Sequence, residues 1–368
     1  MRPGDRAVKD TFGLILGIES SCDETAVAIL KDGKALAANL VASQTELHQV
    51  YGGVVPELAS RRHMETINLL INLGTEEAGV GLSDLDGIAV SRGPGLAGAL
   101  LVGVSTAKGL AYSLGIPCVG VNHMEGHIYA NWLGDQEVSF PLLGLIVSGG
   151  HTALIIMEDH GRYRLLGQTR DDAAGEAYDK VARAMGLGYP GGPIIDGLAP
   201  EGDPAAYPLP KARLKDDPWG FSFSGLKTAV LNLMNQEERK HKEINKADLA
   251  ASFQETVTAL LTEKTVGAAK TFGVGSVLLA GGVAANNGLR RKMAAACDRE
   301  GLRLFLPDRP FCTDNAAMIA CAGHYRLKAG FRDGLDLDAD PTLGVTGMPP
   351  SSALPDGKTQ YNYKPVIS

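Results

Sequence analysis

Two histidines one helical turn apart, His123-Met-Glu-Gly-His127, are the sharpest chemical feature of the sequence. At i and i+4 they share a helix face. Two neutral imidazoles at that distance can bind one metal ion. A strand expected over 118–122 delivers them to the carboxyl edge of a sheet, where α/β proteins build their sites. A pair of surface or capping histidines would show the same spacing. Two ligands are too few for a metal, so a carboxylate or a third histidine must come from elsewhere. Asp314, in the FCTDNAA turn before the last helix, is the best candidate. It is equally well placed to be that helix's N-cap, and the sequence leaves these two readings even. A zincin HExxH helix puts its base directly after the first histidine, and the inverse motif puts it directly before the second. Glu125 is two residues from each, roughly 200° around the helix from His123. A peptidase would therefore lack its general base.

Glycine-rich turns are the second chemical signal. Ser148-Gly149-Gly150-His151-Thr152 and Gly281-Gly282-Val283-Ala284-Ala285-Asn286 each follow an apolar run. Without Cβ atoms their backbone N–H groups can approach an anion, and the second run leads into a helix N-terminus. Neither is a Walker loop or a GxGxxG fingerprint. Gly188-Tyr-Pro-Gly-Gly-Pro-Ile-Ile-Asp196 is a third such segment, too dense in glycine and proline for a plain connection. A tight turn explains any one alone; three at expected element ends point to a nucleotide cleft. Nearby carboxylates, Asp23, Glu24 and Asp179, suit ribose hydroxyls or Mg²⁺. Glu176 and Lys180 at i, i+4 also suit a surface ion pair. Lys227, after Ser222-Phe-Ser-Gly-Leu, carries a weak phosphate-binding signal. The basic clusters at 61–63 and 290–292 are of a kind that is usually a solvated face.

The elements that must position these groups show an internal repeat. Residues 14–43 read as strand, small polar turn, strand, Asp32-Gly33 turn and strand, and Asp-Gly between apolar runs is a strong hairpin signal. Residues 142–169 repeat that order about 127 positions later, with the turn at Gly161, which suggests a duplicated domain core. Helices are expected at 56–77, 96–114, 124–132, 175–185, 248–271, 285–300 and 315–328, and strands at 86–91, 118–122, 276–280 and 303–306. The polar, proline-bearing stretch 199–245 reads as an insertion or lobe surface. Strands alternating with helices give an α/β sheet covered on both faces.

Composition bounds the rest. The chain has 368 residues, 45% hydrophobic and 21% charged, which is ordinary for a packed protein and excludes disorder. A formal net charge of −7 means that any nucleic-acid contact must be local or shared with a partner. The five cysteines form no CxxC pair, arguing against a disulfide scaffold or a Cys-based zinc module and for a cytoplasmic setting. The N-terminus lacks an apolar signal core. The apolar stretch 93–107 falls short of a membrane span, which needs about 20 residues. A soluble protein with no membrane partner is expected, with a loose tail from Met348.

The strings GIESSCDETAVA, HMEGHIYA, VSGGHT, GEAYDKVARAMGLGYPGGPIID, FSFSGLKT, AGGVAANNGLR and CTDNAAMIA together closely resemble the bacterial-type TsaD family. This family of tRNA threonylcarbamoyladenosine biosynthesis proteins was once described as sialoglycoprotein endopeptidases. The resemblance covers about 14–343. Its departures are Asn287, where many members carry a basic residue, and the tail beyond Met348. It implies an α/β fold of two duplicated actin-like ATPase (ASKHA, ribonuclease-H-like) domains with a cleft between them. The expected bounds are 13–130 plus 315–345 for the N-terminal domain, 131–314 for the C-terminal one, and 346–368 for the tail.

The resemblance further implies transfer of threonylcarbamoyl from threonylcarbamoyl-AMP to the exocyclic amine of the adenosine 3′ of certain tRNA anticodons, with release of AMP. A metal, Fe²⁺ or Zn²⁺, would be held by His123, His127 and Asp314, which would also be the catalytic set. The adenylate would lie along Ile146, Val147, Ser148, Gly149 and Gly150, with Asp179, Gly192, Asp196 and Asn286 nearby. Whether ATP with Mg²⁺ shares that cleft is left open, as is a homodimer. Expected partners are tRNA, a paralogous inactive TsaB-like subunit and a small TsaE-like ATPase. A sugar-kinase-like phosphotransferase would explain the glycine turns but not HMEGH. An inactive scaffold would need neither.

Overall fold

A computed structural model describes residues 12–134, 136–212 and 214–344. The expected loose tail lies outside the described residues. The chain divides into two compact units. The first comprises the chain up to Val138, His160–Arg162 and the chain from Pro307; the second comprises Ser139–Asp159 and Tyr163–Leu306. The first unit thus resumes at Pro307 rather than Asn315, and Asp314 falls in the same unit as the two histidines.

The first unit is built on β1 (Leu14–Glu19), β2 (Glu24–Lys31), β3 (Ala35–Ser43), β4 (Gly87–Gly93) and β5 (Cys118–Asn122), in sheet order β3-β2-β1-β4-β5. β2 is antiparallel to β1 and β3, whereas β4 runs parallel to β1 and β5. Asp32 and Gly33, both at positive φ, are the central residues of a turn closed by the Lys34 N–H on the Lys31 carbonyl at 3.1 Å, inside the three-residue loop that joins β2 to β3. α1 (Thr45–Gln49) and α2 (Pro56–Ala78) follow β3, α3 (Ala97–Leu114) joins β4 to β5, and α4 (His123–Tyr129) leaves β5 directly. Strand alternation sorts the faces. Leu16, Ile18, Val27, Ile29, Ile88 and Val90 bury against Ile67 and Ile71 of α2 and Val104 and Ala107 of α3. The 18 residues of α3 do reach the length and apolarity of a membrane span by composition, contrary to the expectation of too short a stretch. The difference is that the helix runs on to Leu114, past the end of the apolar stretch at 107.

The opposite face is made of small residues. A Cβ on Gly17 of β1 would lie 2.3 Å from the carbonyl oxygen of Ala316 and 2.9 Å from Ala320. One on Gly323 would lie 2.2 Å from the Ala89 Cβ. The last helix, α10 (Ala316–Lys328), therefore rides with its backbone against the sheet. That fixes the turn ahead of its N-terminus, which carries Asp314.

The second unit repeats the plan. β6 (Leu142–Val147), β7 (Thr152–Asp159), β8 (Arg162–Gln168), β9 (Ser276–Ala280) and β10 (Arg303–Phe305) stand in the order β8-β7-β6-β9-β10, the same succession as in the first sheet. β6 pairs antiparallel with β7 and parallel with β9. Its helices are α5 (Ala174–Ala184), α6 (Gly191–Leu198), α7 (Ser224–Arg239), α8 (Lys246–Phe272) and α9 (Asn287–Arg299).

Two elements correct the sequence expectation. The segment read as a third glycine turn is helical from Gly191: the Asp179 carboxylate accepts the Gly191 N–H at 2.7 Å and anchors the first turn, and Pro193 sits where its missing N–H is not needed. The stretch read as lobe surface contains α7, whose buried residues are Leu226 and Val230, a stripe too narrow to stand out among its polar neighbours.

Candidate functional site

α4 starts one residue after β5 because Asn122 caps it. The Asn122 Oδ1 accepts the N–H groups of Met124 at 2.9 Å and Glu125 at 3.4 Å, and the helix begins at His123, one residue earlier than expected. His123 and His127 are both buried, with ring centroids 4.7 Å apart and planes at 80°. The cap of α10 is Asn315, whose Oδ1 accepts the Met318 N–H at 3.0 Å. Asp314 is thereby free of the capping role, and its Oδ1 turns to the histidines, 3.4 Å from His123 Nε2 and 3.2 Å from His127 Nε2. The three potential ligand atoms lie within 4.8 Å of one another.

This donor set fits a metal. For bonds of about 2.1 Å, ligand atoms stand roughly 3.0 Å apart at octahedral and 3.4 Å at tetrahedral angles. The two N–O separations fall in that span. Two imidazoles and one carboxylate are also the mixture that Fe²⁺ and Zn²⁺ accept. Without an ion, the same groups form a charge-paired cluster. Burial would lower the His123 imidazolium, but the carboxylates of Glu19 and Asp314 outweigh it and hold it well above the usual range. Burial, with the neighbouring His123 charge, leaves His127 lowered. Asp314 is held well below the carboxylate range, its burial being outweighed by the two imidazoles.

The rim of the site is acidic. Burial, then the charges of Asp314 and Asp23, push the Glu24 carboxyl up to about 9, and the same surroundings keep the Cys22 thiol protonated. Glu125 takes no part: its Oε2 accepts from Arg326 of α10 at 2.8 Å. Its side chain is committed to that pair, as its position around the helix implies.

Sequence reasoning missed Glu19. It is fully buried at the end of β1, with Oε2 2.9 Å from His123 Nδ1. Its Oε1 accepts the Ser21 N–H at 2.6 Å and the Ser91 hydroxyl at 3.2 Å. The available signal was a charged residue closing an otherwise apolar strand, Leu-Ile-Leu-Gly-Ile-Glu.

In the second unit, the residues expected to line the adenylate gather at the carboxyl ends of β6 and β9. Ile146 and Val147 are buried in β6. Ser148 and His151 close a turn, Ser148 N–H to the His151 carbonyl at 2.8 Å and His151 N–H to Ser148 Oγ at 3.1 Å. The carbonyls of Ser148 and Gly149 accept from Gly175 and Glu176 at the start of α5. Gly281, at φ 91°, lies so close that a Cβ there would meet the Val147 carbonyl oxygen at 2.5 Å. At Gly149, Gly150 and Gly192 an added Cβ would meet nothing within 4 Å, and φ is not positive. Neither crowding nor backbone strain within the chain explains glycine at those three positions.

Other residues of this group serve the backbone. Burial pushes the Asp179 carboxyl up, against the bonds it accepts from Gly191 and Gly192. Asp196 accepts from the N–H groups of Asn287 and Gly288 and from the Asn287 side chain at 2.9, 3.2 and 2.7 Å. Asn286 caps α9 through Leu289 N–H at 2.8 Å and donates to Gln254 at 2.8 Å. Lys227 pairs with Asp172 at 3.2 Å, which commits it to a carboxylate instead of a phosphate. Lys180 bridges Asp172 and Glu176. Asp171, also missed, gathers the hydroxyls of Ser222 and Ser224 and the N–H of Phe223 at 2.5, 2.7 and 2.8 Å.

Comparison with known proteins supplies the family. Residues 35–321 match the family model described as TsaD, tRNA N6-adenosine threonylcarbamoyltransferase. A protein of that name from Symbiobacterium thermophilum is 58% identical over 333 residues, spanning 90% of this chain and 97% of the relative. One from Geobacillus thermodenitrificans is 56% identical over 330 residues, 89% and 96% of the two chains. Among solved structures, full-length HypF superposes with a TM-score of 0.59 at 14% identity, covering 88% of this chain and 47% of HypF. That likeness concerns the fold alone, an α/β chain whose two five-stranded sheets share one strand order. With a matching family model over most of its length and relatives more than half identical over about nine-tenths of it, the chain belongs to the TsaD family of tRNA N6-adenosine threonylcarbamoyltransferases.

Proposed function

We propose that the chain transfers a threonylcarbamoyl group from threonylcarbamoyl-AMP to N6 of the adenosine 3′ of the anticodon in tRNA, releasing AMP, and does so through a metal-templated site. The observation that carries this reading is the convergence of His123 Nε2, His127 Nε2 and Asp314 Oδ1 while Glu125 is tied to Arg326. A bound Fe²⁺ or Zn²⁺ would supply Lewis acidity and a fixed point for the oxygens of the threonylcarbamoyl group. An aromatic amine is a weak nucleophile and a carbamoyl carbon a weak electrophile, so orientation and charge neutralisation are what the site must contribute.

The chain's own groups divide that work. His123, His127 and Asp314 would hold the metal. The bare backbone at Ser148–Gly150 and Gly192 would receive the adenylate, with Ile146 and Val147 as the wall behind it. Asp179, Asp196 and Asn286 keep those loops in shape, since each spends its side chain on backbone N–H groups or on Gln254. N–H groups near the departing phosphate would offset its charge. A net charge of −7 favours gripping tRNA together with a TsaB-like paralogue and a TsaE-like ATPase, in the cytoplasm.

The test is a reconstituted transfer assay. It combines the chain, those partners, synthetic threonylcarbamoyl-AMP and unmodified tRNA, read by nucleoside mass spectrometry beside the His123→Ala, His127→Ala double variant. Modified adenosine from wild type and none from the variant is expected. Equal product from both would remove the metal from the mechanism, and no product from wild type with active partners would remove the transfer reading.

A further inference from the structure

We propose that Glu19 is a positioning residue that makes His123 a metal ligand, by holding its Nδ1–H so that Nε2, beside Asp314 and His127, is the nitrogen offered to the ion. This rests on the metal site described above.

Four observations carry it. Glu19 is fully buried at the end of a core strand, a place where a carboxyl group survives only if its oxygens are matched. They are matched by donors: the Ser21 N–H and the Ser91 hydroxyl occupy Oε1, leaving Oε2 for His123 Nδ1 at 2.9 Å. The Ser21 hydroxyl, at 3.2 Å, is a second and longer contact of His123 Nδ1, while Nε2 points to Asp314 Oδ1 at 3.4 Å, so one ring nitrogen is taken up by orienting contacts and the other faces the ligand set. Finally, His127 has no such support, its Nδ1 being buried with no hydrogen-bond partner among the described residues. The two histidines are therefore inequivalent: one has its tautomer imposed by the fold, the other does not. An outer carboxylate of this kind fixes ring orientation and raises ligand basicity.

Glu19→Gln tests the idea sharply because it is nearly isosteric. Its amide oxygen would keep the Ser21 N–H and Ser91 hydroxyl, which turns the NH₂ group toward His123 Nδ1. Two donors cannot share that contact, so the imidazole proton moves to Nε2, the nitrogen meant for the metal. Zn²⁺ affinity of the full-length chain, measured by competition with a chromophoric chelator, should fall about 10- to 100-fold. Ser91→Ala removes a bond to Oε1 and leaves the Oε2–Nδ1 contact, so its affinity should stay within about threefold of wild type. Nitrogen-15 spectra of the imidazoles supply a readout that a loss of packing would not mimic: in Zn²⁺-loaded wild type, His123 should carry its proton on Nδ1.

Zn²⁺ affinity of Glu19→Gln within twofold of wild type would overturn the proposal, as would an unprotonated His123 Nδ1 in the loaded wild type. If Glu19→Gln does not fold, the wild-type spectrum decides. Failure of wild type itself to bind Zn²⁺ through His123 and His127 would instead overturn the metal site, which separates the two conclusions.

Discussion

The closeness of α10 to the first sheet sets where Asp314 stands, and Gly17→Ala should show it. The new Cβ would fall 2.3 Å from the Ala316 carbonyl oxygen, against a comfortable C···O contact of about 3.3 Å. The start of α10 must retreat by about 1 Å, because backbone on both sides leaves no side chain to swing away. Overpacking of this kind costs about 1–3 kcal/mol, so the melting temperature of the metal-free protein should fall by about 1–4 °C. Asp314 lies two residues from Ala316 and moves with it. Its contacts of 3.4 and 3.2 Å to the histidines would open beyond 4 Å. Bonds near 2.1 Å reach that far only when nearly collinear, which a tetrahedral site does not allow, and Zn²⁺ affinity by chelator competition should drop at least tenfold. Gly87→Ala is the control. Its Cβ would press on the ends of the Leu327 and Ile15 side chains, at 2.8 and 3.2 Å, and touch backbone only at an ordinary 3.6 Å from the Pro117 carbonyl, toward the other end of α10, so it should cost under about 1 kcal/mol and leave Zn²⁺ binding intact. Wild-type Zn²⁺ affinity in Gly17→Ala, or an equal loss in Gly87→Ala, would refute the reasoning.

Further outcomes follow from the same geometry. Glu125→Gln breaks the buried pair with Arg326 and should destabilise the chain by up to about 3–5 kcal/mol while threonylcarbamoyl transfer survives at a temperature where the variant is folded; loss of turnover in folded protein would give Glu125 a chemical role. Glu24 keeps its proton in the folded metal-free chain up to about 9, against 4.5 ordinarily, so it lowers stability progressively as pH rises from about 4.5 to 9. Glu24→Gln should therefore gain melting temperature over wild type across that window in chelator-treated protein, and a difference flat with pH would contradict this. Burial pushes the thiols of Cys118 and Cys297 up to about 12 and 11, and those of Cys22 and Cys321 higher still. A colorimetric thiol reagent at pH 7.5 should thus label the native chain slowly and all five cysteines quickly after denaturation; rapid labelling of native protein would show an open site.

Local pattern made much of this legible. The repeated strand–turn–strand order, the i, i+4 histidines and the misplacement of Glu125 for a peptidase all depend on short-range periodicity. Legibility ended where a tertiary contact decides. Asp314 and Asn315 are both good caps, and only the docked helix shows that Asn315 takes the role and frees Asp314. Glu19 closes an apolar strand, and its partners Ser91 and His123 arrive from 72 and 104 residues away. The Gly191-Gly192-Pro193 segment has the composition of a loop, and its helix is anchored by Asp179, twelve residues upstream. α7 buries too little for amphipathic spacing to reveal it.

The shared strand order of the two sheets has a consequence for how such a chain can diversify. The first turn of each half leaves the end of its leading strand in an equivalent place. In one half Glu19, at the strand end, and Ser21, within the turn, reach His123 with side-chain oxygens; in the other Gly149 and Gly150 leave the peptide bare beside Ser148. One strand plan, used twice, carries polar side chains at this turn in one unit and withholds them in the other. Each turn is anchored in the core of its own unit, so if the proposed function holds, substitutions at the ion site of one and at the nucleotide turn of the other should combine additively.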